Sequence, residues 1–249
     1  MPSLTRSLRV LLVELLIGAL VIFAVEVAAG LVWWLAVIVA VVIMGALGVY
    51  IVRTAPAAVA SMVKAEPADP VRHERLTHLV ASLCLANGLA EPEILVIPEA
   101  APNALVVGRS ARQSKLIVTD GLLHVLNRIE LEGVVAHLLS RVRSSEVGND
   151  TLAAVVVGRW LAPFVGVRTQ VLHWVVGPHH AMRADFEAVS MTRYPPGLES
   201  ALATLSTHHQ SVRSGGRPTQ HLWIDEPVAS HDEAIHLPLA ERIEALQEI

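Results

Sequence analysis

The chain has 249 residues, 53% of them hydrophobic, with a mean hydropathy of +0.52 and a formal charge of −4. So small a charge, with no basic run and no aromatic-interleaved basic patch, excludes a nucleic-acid-binding protein. The single cysteine, Cys84, excludes an intrachain disulfide framework; in the apolar helical pattern of residues 79–85 it reads as buried filler rather than a nucleophile.

Residues 10–52 contain only two charges, Glu14 and Glu26. As helix this stretch is about 65 Å long, roughly twice the hydrocarbon thickness of a bilayer. It predicts two spans, 10–28 and 31–52, turning between 26 and 30, with Trp33 and Trp34 near an interface. The apolar run is too long for a signal peptide. Arg6 and Arg9 precede the pair, and Arg53 and Lys64 follow it. The positive-inside rule then predicts an integral protein of the inner or plasma membrane, with both termini and the main domain cytoplasmic. Glu14, about a turn inside the first span, reads either as a functional intramembrane carboxylate or as one that snorkels to the interface. The predicted organisation is a transmembrane helical hairpin at 1–53, a neck at 54–69 containing Pro56 and Pro67, and a main domain at 70–249.

Within that domain, 71–87 reads as an amphipathic helix ending at Gly88. Three short apolar runs, 93–98, 103–108 and 115–119, read as strands. Asp120 is positioned to cap a short helix at 121–126. Residues 151–177 are apolar again but include Arg159, Pro163, Arg168 and His173. At about 40 Å of helix they suffice for one crossing and are short for two, which favours an interfacial or re-entrant hairpin, or packing on the first spans. Helical patterns at 181–190 and 197–205 flank Tyr194-Pro195-Pro196. A polar stretch, 206–218, reads as a mobile loop, and 237–249 closes as a short helix.

The central element is the helix predicted over 130–142, where Leu131, Val134, Val135, Leu138, Leu139 and Val142 form an apolar stripe. His137 and Arg141 lie one turn apart on it. A second histidine at 141 and a glutamate at 138 would make the helix a zinc-protease element; here those positions are Arg141 and Leu138.

Several ordered motifs accompany it: Pro102-Asn103-Ala104 with Gly108; Ile117-Val118-Thr119 with Gly121-Leu122-Leu123; Glu130 through His137; Ala184-Asp185 with Pro196, Leu198, Ala201 and Leu202; His221-Leu222-Trp223-Ile224; and Pro238-Leu239 with Arg242, Ile243 and Leu246. Together they resemble the HtpX-type membrane metallopeptidases, zinc gluzincins related to the CAAX prenyl endopeptidases. The resemblance implies an α+β, mainly helical fold: the N-terminal hairpin, then a gluzincin metallopeptidase-like domain with a small β-sheet beside the active-site helix. It also implies zinc held by two histidines of H-E-x-x-H and a later glutamate, with the first-helix glutamate as general base. His137 matches the first ligand, Arg141 replaces the second, Ala181 replaces the glutamate ligand and Leu138 replaces the base. Asp185 is retained, and Glu146 stands where the family often has aspartate.

A guanidinium has no lone pair to offer a metal, and a catalytic zinc needs three protein ligands. The expectation is therefore a pseudoprotease without zinc, in which Arg141 fills the vacated site and pairs with Asp185, or less readily with Glu146. A substitute site at His137, His180 and Asp185 is disfavoured, because 180 and 181 point about 100° apart on a helix. The strand Asn103, Ala104, Leu105, Val106, Val107 and Gly108 is expected to take an extended peptide or partner by edge pairing. The chain would then act by binding other membrane proteins, as an adaptor, inhibitor or assembly subunit. The alternatives are an active zinc endopeptidase with relocated ligands and a structural subunit of a membrane complex.

Overall fold

The computed structural model describes residues 4–28, 33–158, 165–177, 179–208, 212–227 and 234–249. Two long apolar helices open the chain, α1 (Leu4–Ala28) and α2 (Trp33–Met62). Their apolar windows, Leu8–Glu26 and Trp34–Met62, have mean hydropathies of 2.6 and 2.9, and both helices are long enough to cross a membrane. They pack closely: a Cβ on Gly48 would meet Leu15 Cδ1 at 2.8 Å. The turn expected at 26–30 falls partly outside the described residues.

Helix α2 does not stop at 52. It runs through Pro56 to Met62, so most of the predicted neck is helical. Burial explains this: Val59, Ala60 and Val63 are inside a core cluster, and their packing offsets the hydrogen bond that Pro56 cannot make. The neck also contributes an unforeseen two-residue strand, β1 (Glu66–Pro67).

A four-stranded sheet follows, made of β1, β2 (Glu93–Ile97), β3 (Ala104–Ser110) and β4 (Gln113–Thr119) in the order β1-β2-β4-β3. The three longer strands coincide with the three apolar runs. Strand β2 is parallel to β4, and β3 is antiparallel to it with Leu105 opposite Ile117. Before the sheet lies α3 (Glu74–Asn87), ended by Gly88 in the left-handed region (φ 65°). After it comes α4 (Asp120–Val125), whose cap is the Thr119 hydroxyl accepting from Leu122 N, not the expected Asp120.

The central helix is α5 (Arg128–Arg143), started by an Asn127–Glu130 capping box. It is buried on nearly every side from Leu131 to Val142. One face packs on the sheet and another on α8 (His180–Thr192) and α9 (Pro195–Thr207). Gly133 permits the α9 contact, since a Cβ there would lie 2.7 Å from Leu198 N. Between them, α6 (Val147–Ala153), a π-helical turn (Ala154–Gly158) and α7 (Val165–Val175) lie against α1 and α2. Leu152, Val156, Leu172 and Val175 bury with Leu11 and Ala55. The described parts of 151–177, residues 151–158 and 165–177, thus pack on the first two helices. Part of the loop expected to be mobile is tied down: Val212 is buried, and Ser214 Oγ donates to Glu99 Oε2 at 2.7 Å. A 3₁₀ turn (Arg217–Leu222) and α10 (Leu239–Gln247) complete the chain.

Candidate functional site

His137 and Arg141 of α5 lie at the junction of α5 with α6, α8 and the 3₁₀ turn. His137 is 1% exposed, and its Nδ1 lies 2.7 Å from Asp185 Oδ1 on α8. Burial pushes the His137 imidazole down to about 4, against the opposing pull of Asp185. It is therefore neutral near pH 7, and Nδ1 carries the proton donated to the carboxylate. Asp185 also accepts both arms of Arg242 from α10, Nε at 2.7 Å and Nη2 at 2.8 Å. Burial alone would raise Asp185, but the charge of Arg242 and the hydrogen bonds from Arg242 and His137 outweigh it and hold the carboxyl below its usual range. Ser140 Oγ adds a bond to Ala184 O at 2.9 Å, so α5 and α8 are pinned together at two levels.

Arg141 is 1% exposed and does not pair with Asp185. Its Nη2 donates to Asp150 Oδ2 at 2.9 Å, and Nη1 donates to Leu222 O at 2.8 Å. The expected carboxylates are committed elsewhere. Asp185 is saturated by Arg242 and His137, and Glu146 meets Arg183 at 3.1 Å and His180 at 2.8 Å. Asp150 is fully buried on α6. Burial raises its pKa, but the neighbouring His180 and Arg141 charges win and keep it low. Sequence reasoning missed Asp150; its only signal was an acid set between two apolar segments. It also missed Arg242 as the Asp185 partner, although Arg242 belongs to the C-terminal motif.

Around this pair lies a cluster of buried histidines. His180 Nε2 is 3.3 Å from Asp150 Oδ2, His221 Nε2 is 3.1 Å from Asp150 O, and His236 stacks on His180 at 6.2 Å between ring centroids. His180 thus faces Glu146 and Asp150, and is not brought to the His137–Asp185 pair. Among the described residues, no three His, Cys, Asp or Glu side chains are placed to hold a metal ion. At the positions where the resemblance puts the ligands, the chain offers one imidazole already bonded through Nδ1, one guanidinium and the buried methyl of Ala181.

The strand expected to pair with a peptide, Asn103 to Gly108, lies beside α5, and the chain itself covers part of its outer edge. The chain's own Trp223 pairs opposite Leu105, and Ile224 N donates to Ala104 O at 2.9 Å. Farther along, Gly108 N donates to Thr151 Oγ1 at 2.9 Å.

The sequence profile of Peptidase family M48 matches residues 69–174. Among curated proteins, the chain is 31% identical over 219 residues to a protein named Protease HtpX homolog from Dictyoglomus turgidum, covering 72% of this chain and 71% of that one. It is 27% identical over 229 residues to the same-named protein of Caldanaerobacter subterraneus, covering 75% and 76%. For that of Pyrococcus abyssi the identity is 29% over 213 residues, covering 70% and 73%. No solved structure matches the chain. With two apolar helices of spanning length ahead of the matched domain, the chain belongs to the HtpX-type membrane metallopeptidases of family M48.

Proposed function

We propose that this chain is a catalytically inactive HtpX-like membrane protein that acts by binding other membrane proteins, as an adaptor, inhibitor or assembly subunit. The observation that carries the reading is Arg141, buried at the second ligand position and ion-paired to Asp150 at 2.9 Å. A permanent cation there repels a divalent metal and offers no lone pair. Zinc would supply the acidified water that a metallopeptidase uses as nucleophile; the residues at this site do not fit it. Leu138, fully buried in the apolar core, also leaves no proton acceptor one position after His137. The arginines flanking the two apolar helices support both termini and the main domain lying on the cytoplasmic side.

Elemental analysis of the detergent-purified full chain, with a labelled-casein cleavage assay, tests this. The expected result is zinc well below one atom per chain and no cleavage inhibited by o-phenanthroline. Stoichiometric zinc with chelator-sensitive cleavage would overturn the reading and favour relocated ligands.

A further inference from the structure

The segment lying along β3 buries the side chains of Leu222, Trp223 and Ile224 in the core, and its backbone is gripped as well. Leu222 O accepts from Arg141 Nη1 at 2.8 Å, and Ile224 O accepts from Arg242 Nη1 at 2.7 Å. Alternate carbonyls are thus gripped by two buried guanidiniums, one anchored on Asp150 and the other on Asp185. Ile224 N pairs with Ala104 O at 2.9 Å. The Asn103 side chain takes both backbone groups of the next residue: Nδ2 donates to Asp225 O at 2.6 Å, and Oδ1 accepts from Asp225 N at 3.2 Å. These N–H and C=O groups are the ones any extended peptide presents to an edge strand, whatever its sequence.

We propose that residues 222–225 are an internal pseudo-substrate that closes the peptide-pairing edge of β3 in cis, with Arg141, Arg242 and Asn103 as its clamp. Leu222, Trp223 and Ile224 are at most 1% exposed, so the segment is seated in the core rather than laid on the surface. Thr151 caps the far end of the same edge at Gly108. A cavity of about 170 Å³ reaches Ile224, Asp225, His236 and Arg242 from outside, and Arg141 is not among its walls. The inference rests on the reading of the site as metal-free, since the guanidinium reaching Leu222 O stands at a metal-ligand position.

Hydrogen–deuterium exchange of the full chain in detergent, with and without excess unfolded β-casein, tests the proposal; zinc content and the intact mass of the casein are followed in the same samples. Casein is expected to leave the exchange of 103–108 and 221–226 unchanged. Asn103→Ala removes two of the clamp's bonds and, with them, the bond from Ala104 N to Oδ1, so its effect is read at 105–108 and 221–226, which are expected to speed together by about tenfold. Arg242→Lys, which cannot span Asp185 and Ile224 O at once, is expected to do the same. Casein slowing 103–108 in the unaltered chain, with its mass intact, would overturn the closed edge while leaving the metal-free reading standing. Faster exchange of 221–226 without 105–108, or no change in either variant, would overturn the pairing. Zinc with fragmented casein would overturn both readings.

Discussion

Arg141 shows how a single residue resets the chemistry of its surroundings. A buried guanidinium is tolerated only where its charge is neutralised and its donors are used. Asp150 meets that demand because the chain turns sharply after α5, with Ser145 in the left-handed region (φ 60°), and α6 then carries Asp150 back beneath Arg141. Asp185 was the expected partner because it shares a helical face with Ala181, but the fork of Arg242 claims both of its oxygens. Arg141→Met leaves the buried Asp150 with only His180 beside it, and Asp150→Leu strips Arg141 of its carboxylate; each is expected to cost about 3–5 kcal/mol. Together they remove the pair cleanly, so the double variant should be destabilised by less than the sum of the singles, with a coupling of about 2 kcal/mol. Urea unfolding of the four proteins in micelles, followed by circular dichroism, gives that cycle. Additive losses would mean that the two side chains do not act as a pair.

At the scale of elements, two histidines on different segments, His137 on α5 and His221 in the 3₁₀ turn, are buried in neutral form. Burial pushes each down to about 4, from about 6.5 in the unfolded chain. Above pH 6.5 neither state binds these protons. Between 6.5 and about 4 the unfolded chain takes them up and the folded chain does not, so stability falls as the pH is lowered through that window. The loss is at most about 1.4 kcal/mol per pH unit per histidine. Asp150 and Asp185, held low in the folded state, extend the loss below the ordinary carboxylate range. The melting temperature should be flat from pH 8 to 7 and fall below 6.5, with a shallower slope in His221→Gln; an unchanged slope in that variant would remove His221 from the account. The elements themselves were largely legible. The three strands announced themselves as apolar runs, and the helices through their periods and caps, because those signals are local. Strand β1, the extension of α2 and the Trp223–Leu105 pairing were not legible, since each is created by contacts between distant segments. Nor was the Arg141 partner: the sequence offered Asp185 and Glu146, and only tertiary placement brings a third carboxylate, Asp150, to the guanidinium.

For the whole molecule, the consequence of α2 running past the predicted neck is that the spans and the main domain share a core. Val59, Ala60 and Val63 pack with Leu95, Ile97, Leu105, Val107, Ile117 and Trp223, across the face of the sheet opposite α5. Strand β1 continues the same chain into the sheet edge, with Glu66 opposite Val96. On the other side, Leu11 and Ala55 bury with α6 and α7, and Arg6 reaches α7, donating to Trp174 O at 2.8 Å with its guanidinium 5.8 Å from the indole centroid. The N-terminal hairpin is therefore part of the fold as well as an anchor. Burial of Val59 and Val63 alone contributes about 3–6 kcal/mol, a large fraction of the roughly 5–15 kcal/mol net stability of an ordinary domain. A chain begun at Lys64 should consequently be insoluble or fail to melt cooperatively, because the face around Trp223 is left bare. One begun at Thr54 keeps the last turns of α2 and should recover a cooperative transition, at reduced stability because the Leu11 cluster is still missing. Size-exclusion chromatography and thermal melts of the two truncations decide the matter: if the chain begun at 64 were monodisperse and melted like the one begun at 54, the hairpin would be a mere tether and its packing on the sheet would carry no stability.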